Sequence, residues 1–256
     1  MPASPRATGS PGAQCQLQPL FPLALGTTQL RPDPLELARQ LQAIRELQGG
    51  ASSNPDPACA WTGDLQGVWQ LHLDARFAPL ITALLGQAWG YVEQLGFDRQ
   101  AVMLHLQRCW PVVSEPGQVV GRHHHPNAHL SGVYYLSGDG SGRQGCLRLY
   151  PPAAANELVP GLAVGHGSPF LAGSEAASRW NASCFDLAPR AGLLVLFPAR
   201  VEHAVLANSD PEESRFSISF DLVLTARPCG NGPPPPEYLA PHPGDWLAVV
   251  PASTPA

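Results

Sequence analysis

Apolar positions recur along this chain with two different periods, and the change from one to the other divides it. Leu37, Leu41, Ile44 and Leu47 stand at helical spacing, opened by Asp33-Pro34 and closed by Gly49-Gly50. An Asp at the cap followed by Pro at the first helical position is a strong start signal, so a first amphipathic helix is predicted there. A second is marked by Leu80, Leu84, Ala88, Tyr91 and Leu95, ended by Gly96, with its start between Asp74 and Pro79. Both stripes read as core-packing faces. After Phe97 the pattern turns to short extended runs, each bounded by Gly, Pro, Asn or Asp: Ala101 to Cys109, Leu130 to Leu136, Cys146 to Tyr150, Leu193 to Phe197, His203 to Leu206 and Arg215 to Leu224.

Strands that follow helices, rather than alternate with them, predict an antiparallel sandwich or barrel with helices on one outer face, a mainly β, α+β arrangement. The stretch from Ala153 to Ala188 has no clear period and reads as a lid or long insertion. No internal repeat is present.

Composition narrows the domain plan. The chain has 256 residues, enough for one principal barrel domain. Its 29 prolines and 25 glycines favour short strands and turns over long helices. Residues 1–19 carry too little apolar surface to offset chain entropy and are expected to be disordered. Residues 20–228 form the expected domain. Residues 229–256, with the run Pro233 to Pro236, form a proline-rich tail, from which Trp246 and its apolar neighbours can dock back.

Charge and cysteine usage exclude some partners. Every one of the 15 basic residues is arginine, the net charge is −5, and the pI is near 6.0, so no nucleic-acid partner is expected. No apolar run approaches the ~20 residues that cross a bilayer, and the amino terminus lacks the apolar core of a secretion signal. Six scattered cysteines without a CxxC pair read as reduced thiols of a cytoplasmic protein. A small-molecule or protein substrate is the expectation; composition does not address oligomeric state.

The candidate chemistry begins at Gly121-Arg122-His123-His124-His125-Pro126-Asn127. In extended backbone, His123 and His125 share a face and His124 takes the other. Two imidazoles at i and i+2 suit a metal site completed by a distant strand, and His203, after the run Leu193 to Phe197, is the best third ligand. Imidazole suits Fe, Zn, Ni and Cu alike, so the cluster does not name its metal, and an isolated His run can equally be a solvated loop. The last run adds a second element. Arg215, Ser217, Ser219 and Asp221 alternate with Phe216, Ile218, Phe220 and Leu222, so one face is polar and the other apolar. On an exposed sheet that is ordinary. Turned into a barrel lumen, Arg215 with Ser217 would form a clamp for a carboxylate, because guanidinium offers a planar fork of donors. A metal site facing an arginine is what a chelating keto acid requires.

The run from His123 to Leu136 resembles the HxHPxxxLSGVYYL signature of 2-oxoglutarate-Fe(II) oxygenases of marine cyanobacteria and their phages. Gly192 to Pro198 with His203-Ala204-Val205 resembles that family's GxLVLFPxxxxHxV block, and Arg215 to Leu222 is similar to its RISISFNL block. Ala60-Trp61 through Asp64-Leu65 also resembles its amino-terminal half, so the likeness spans roughly residues 20 to 225. The resemblance implies a double-stranded β-helix, a cupin-like jelly roll, that uses Fe(II), 2-oxoglutarate and O2. It implies His123, His125 and His203 as metal positions and Arg215 with Ser217 as the cosubstrate site. Tyr135 is a further candidate for the same carboxylate, or else a core tyrosine. His124 and His129 have no matching role and are expected at the surface. Most such oxygenases use two histidines and a carboxylate, whereas here the second position of the motif is His125. Either all three histidines bind, or only one of His123 and His125 does, with Asp221 as a substitute ligand or a partner to one. A three-histidine cupin-type dioxygenase without a keto acid, and a non-catalytic binding module, are the rival readings.

Overall fold

The computed structural model describes residues 16–153, 156, 180, 182–228 and 238–249. In chain order the elements are β1 (Gly26–Gln29), α1 (Pro34–Gly50), β2 (Trp61–Thr62), α2 (Ala78–Gln94), β3 (Val102–Ser114), β4 (Val120–His123), β5 (Leu130–Tyr135), β6 (Leu147–Leu149), β7 (Phe185–Leu187), β8 (Leu193–Pro198), β9 (His203–Val205) and β10 (Arg215–Ala226). They form two antiparallel sheets, a six-stranded one in the order β1-β8-β5-β10-β3-β2 and a four-stranded one in the order β4-β9-β6-β7. The fold is a jelly roll with both helices on the outer face of the larger sheet.

Alternation along β10 decides which side is which. Phe216, Ile218, Phe220 and Leu222 join Leu130, Tyr134, Leu194 and Leu196 in a core that also holds Ile44 of α1 and Ile81, Leu84, Ala88, Tyr91 and Val92 of α2. Burying an aromatic or aliphatic side chain of this size stabilises by roughly 1.5–3 kcal/mol, so this face outweighs any local preference. The polar set Arg215, Ser217, Ser219 and Asp221 is thereby committed to the space between the sheets. The close packing has a steric requirement at Gly132, which lies beside Phe220 across β5 and β10: a Cβ there would stand 2.2 Å from the phenyl ring.

Both helices form where periodicity places them. Asp33 caps α1, its carboxylate accepting from the N–H of Leu35 and Glu36 at 2.9 and 3.1 Å. On α2 the buried face takes in Ile81, while Leu95, beyond the last helical residue, is 45% exposed. The strand following the second helix runs further than its apolar run suggests, through Pro111 to Ser114. Beyond Pro111 its outer neighbour is only the two-residue β2, and a proline is tolerated at such a near-edge position. The stretch 153–188 lies mostly outside the described residues, but its end is β7, which pairs with β6. The first described strand starts at Gly26. Of the tail, Leu239 packs against the core and His242 lies against His105 with ring centroids 5.2 Å apart, whereas Trp246 is 59% exposed. No helix among the described residues is long and apolar enough to cross a membrane.

Candidate metal centre and carboxylate site

A cavity of about 460 Å³ opens between the sheets, and both candidate groups line it. β4 ends at His123, which pairs in register with His203 at the start of β9. His125 follows in the loop, where its backbone N–H donates to the Ala199 carbonyl at 3.0 Å. One ring nitrogen from each of His123, His125 and His203 lies within 4.8 Å of the other two. Ring centroids are 4.3 to 5.2 Å apart. His124 is exposed and is not among the converging ligands, although it too borders the cavity. His129 is also exposed, and its Nδ1 accepts from the Leu224 N–H at 3.0 Å.

Hydrogen bonding selects the nitrogen each imidazole presents. His123 Nδ1 meets the Gly121 carbonyl at 2.7 Å, His203 Nδ1 the Val201 carbonyl at 2.9 Å, and His125 Nδ1 the Asp221 carboxylate at 2.6 Å. Carbonyls and carboxylates only accept, so each Nδ1 carries the proton and each Nε2 keeps its lone pair for a ligand. Burial, joined by the neighbouring His123, lowers the pKa of His203 to about 3. Burial likewise lowers that of His123. A preoriented imidazole set of this kind fits Fe(II), which His123, His125 and His203 would hold. Asp221 is not among the converging ligand atoms; its Oδ1 accepts from His125 and from Ser131 Oγ, the latter at 2.9 Å.

Arg215 lies deeper in the same lumen and is 1% exposed. Its Nη1 donates to the carbonyls of Gln144 and Gly145 at 3.3 and 3.1 Å. Its Nε and Nη2 are buried and have no partner. These two atoms form one edge of the guanidinium, the edge that grips a carboxylate with two parallel bonds. Burial lowers the Arg215 pKa, yet an arginine stays charged under any protein condition, so an anion is what this edge lacks. Ser217 and Tyr135 sit side by side across β10 and β5 and line the cavity with it. Burial pushes the Tyr135 phenol up to about 12 against the opposing pull of Arg215, which keeps its hydroxyl protonated and able to donate. Gly145 has φ +84°, and a Cβ there would stand 2.2 Å from the Leu206 carbonyl oxygen. The loop that anchors Arg215 therefore needs glycine at this point.

Sequence reasoning missed the loop carbonyls and the pair at the cavity mouth, Arg108 with Asp64, joined at 2.5 Å. Arg108 extends the row Ser131, Asp221, Arg108 across β5, β10 and β3, and its guanidinium lies 5.0 Å from the Trp110 ring centroid. Alternation from Tyr135 back to Ser131 would have turned Ser131 inward; the loop contacts have no such signal.

Residues 108–221 match the family model described as "Putative 2OG-Fe(II) oxygenase". That segment runs from Arg108 to Asp221 and contains all three converging histidines and Arg215. No curated protein sequence matches the chain. Among solved structures, the non-heme α-ketoglutarate-dependent epimerase SnoN from nogalamycin biosynthesis is similar at a TM-score of 0.55 and 19% identity, over 87% of this chain and 92% of that one. A prolyl-4-hydroxylase of Pseudomonas putida is similar at 0.50 and 15%, over 78% and 92%. HygX of Streptomyces hygroscopicus, solved with nickel, 2-oxoglutarate and hygromycin B bound, is similar at 0.51 and 12%, over 78% and 83%. At these identities the likeness establishes the shared fold.

Proposed function

We propose that this chain is an Fe(II)- and 2-oxoglutarate-dependent oxygenase of the HxHPxxxLSGVYYL type, acting in the cytoplasm on a small-molecule or protein substrate. One observation carries the reading. Three imidazoles converge in the cavity, and a buried guanidinium with two unpartnered N–H groups lines the same cavity. His123, His125 and His203 would hold the metal. Arg215 would take the far carboxylate of 2-oxoglutarate, with donors from Ser217 and Tyr135. The metal and cosubstrate, when bound, would supply the oxidative step, in which 2-oxoglutarate and O2 give succinate and CO2 and a substrate C–H becomes C–OH. The protein would hold the reactants in orientation, with Val133, Leu147 and Phe197 as the apolar part of the lining. Substrate would enter past the ion-paired Asp64 and Arg108, which line the cavity. Among the described residues the cysteines at positions 59, 109, 146 and 184 are free thiols, which suits a reducing compartment.

The rival without a keto acid has no use for the open edge of Arg215. Anaerobic addition of Fe(II) and 2-oxoglutarate should produce a visible charge-transfer band, and admission of O2 should then yield succinate. A wild-type protein that binds Fe(II) but shows no band would overturn the reading. A band without succinate from any substrate would leave a binding module. Since the similar structures include an epimerase and a hydroxylase, substrate screens should score both a gain of one oxygen atom and isomers of unchanged mass.

A further inference from the structure

The three imidazoles are not held alike. His123 and His203 each rest Nδ1 on the carbonyl of the residue two positions earlier, Gly121 and Val201, which are neutral dipoles. His125 alone rests on a carboxylate, Asp221, at 2.6 Å. Asp221 is 2% exposed, and Ser131 Oγ donates to the same oxygen. Its neighbour on β3, Arg108, gives its hydrogen bond to Asp64 instead. Among the described residues, then, Asp221 is a buried carboxylate whose ion-pair partner is an imidazole. Burying a carboxylate costs several kcal/mol unless charge of the opposite sign is near, and the positive charge that fits here is a metal ion on the far nitrogen of His125.

We infer that Asp221 is a positioning residue that passes negative charge to the metal centre through His125, replacing electrostatically the carboxylate that a three-histidine ligand set lacks. The inference rests on the reading of the three imidazoles as ligands. A strong acceptor on Nδ1–H draws that proton away and makes Nε2 a more basic donor toward the metal. His125 is thus the most anionic of the three ligands, although its residue type is the same as the others. The charge also fixes the sign of two substitutions. Asp221→Asn keeps an oxygen that can accept from His125 and removes the charge. Ser131→Ala removes a donor that competes for the same Asp221 oxygen and an oxygen that lies 3.0 Å from His125 Nδ1 and shares its proton, so the carboxylate pulls harder on His125.

The test uses the full chain without 2-oxoglutarate or substrate: anaerobic titration with Co(II), and the Fe(III)/Fe(II) midpoint potential. Asp221→Asn should weaken Co(II) binding roughly 10- to 100-fold and raise the potential. Ser131→Ala should lower the potential. A residue that merely orients the ring would leave the Asn variant at wild-type affinity and potential, and that result overturns the inference. If Asp221→Asn does not fold, the Ser131→Ala potential decides alone, an unchanged or raised value being contrary. A wild type that forms succinate while its Asn variant binds Co(II) normally discards the charge relay and keeps the oxygenase. Failure of wild type to bind Co(II) at the histidines removes both.

Discussion

Arg215→Met is expected to abolish useful 2-oxoglutarate binding while leaving the ligand-free protein at least as stable as wild type. The two effects have one cause. In the ligand-free fold, Nε and Nη2 of Arg215 are buried without partners, and each such group costs about 1–3 kcal/mol. Methionine fills similar volume and carries no donor to strand, which offsets the loss of the two Nη1 bonds to the Gln144 and Gly145 carbonyls, and replacing buried charge by an apolar side chain is often neutral or stabilising. With the cosubstrate present the sign reverses. Removing one side of a buried, hydrogen-bonded charge pair costs about 2–5 kcal/mol, so affinity should fall by between roughly 30-fold and several thousand-fold. Calorimetric titration in the presence of Fe(II), beside thermal unfolding without ligand, reads both. A variant that melts far below wild type would show that Arg215 serves the fold instead. One that binds 2-oxoglutarate normally would show that the carboxylate lies elsewhere.

His203→Ala should remove the metal. A structural zinc site contributes roughly 10–16 kcal/mol through four ligands, so one ligand is worth about 2.5–4 kcal/mol, or two to three orders of magnitude in affinity. His203 is 4% exposed and packs edge-on against Phe197 at 4.9 Å, so the substitution also leaves a cavity. Free imidazole separates the two consequences. Added to the variant, it should occupy the vacated space and restore part of the metal affinity. Undiminished binding in the variant would remove His203 from the ligand set, and His123 with His125 would then need a different third partner.

How much of this was legible beforehand depends on the range of the interaction. The alternation from Arg215 to Leu222 displays two faces within one strand, but not which faces inward. That is settled by Ile44, Ile81 and Leu84, which belong to helices more than 130 residues earlier and cover the apolar face. The i and i+2 spacing of His123 and His125 puts both on one side by local geometry alone. Their meeting with His203 depends on the pairing of β4 with β9 across 80 residues, which spacing rules do not encode. Asp221 and His125 lie 96 residues apart, and their contact follows only once β10 and β5 are in register. The short strands β1, β2 and β7 have too few residues to show a period. The anchoring of Arg215 by the Gln144 and Gly145 carbonyls arises from a loop turn with positive φ, legible in the sequence only as one glycine among 25.

The most direct measurement is anomalous diffraction at the iron edge from crystals grown anaerobically with Fe(II) and 2-oxoglutarate. The account predicts one iron peak about 2.1 Å from Nε2 of His123, His125 and His203, with the far carboxylate of the keto acid bonded to Nε and Nη2 of Arg215. An iron peak away from these imidazoles, or a carboxylate bound anywhere but that guanidinium edge, would contradict it.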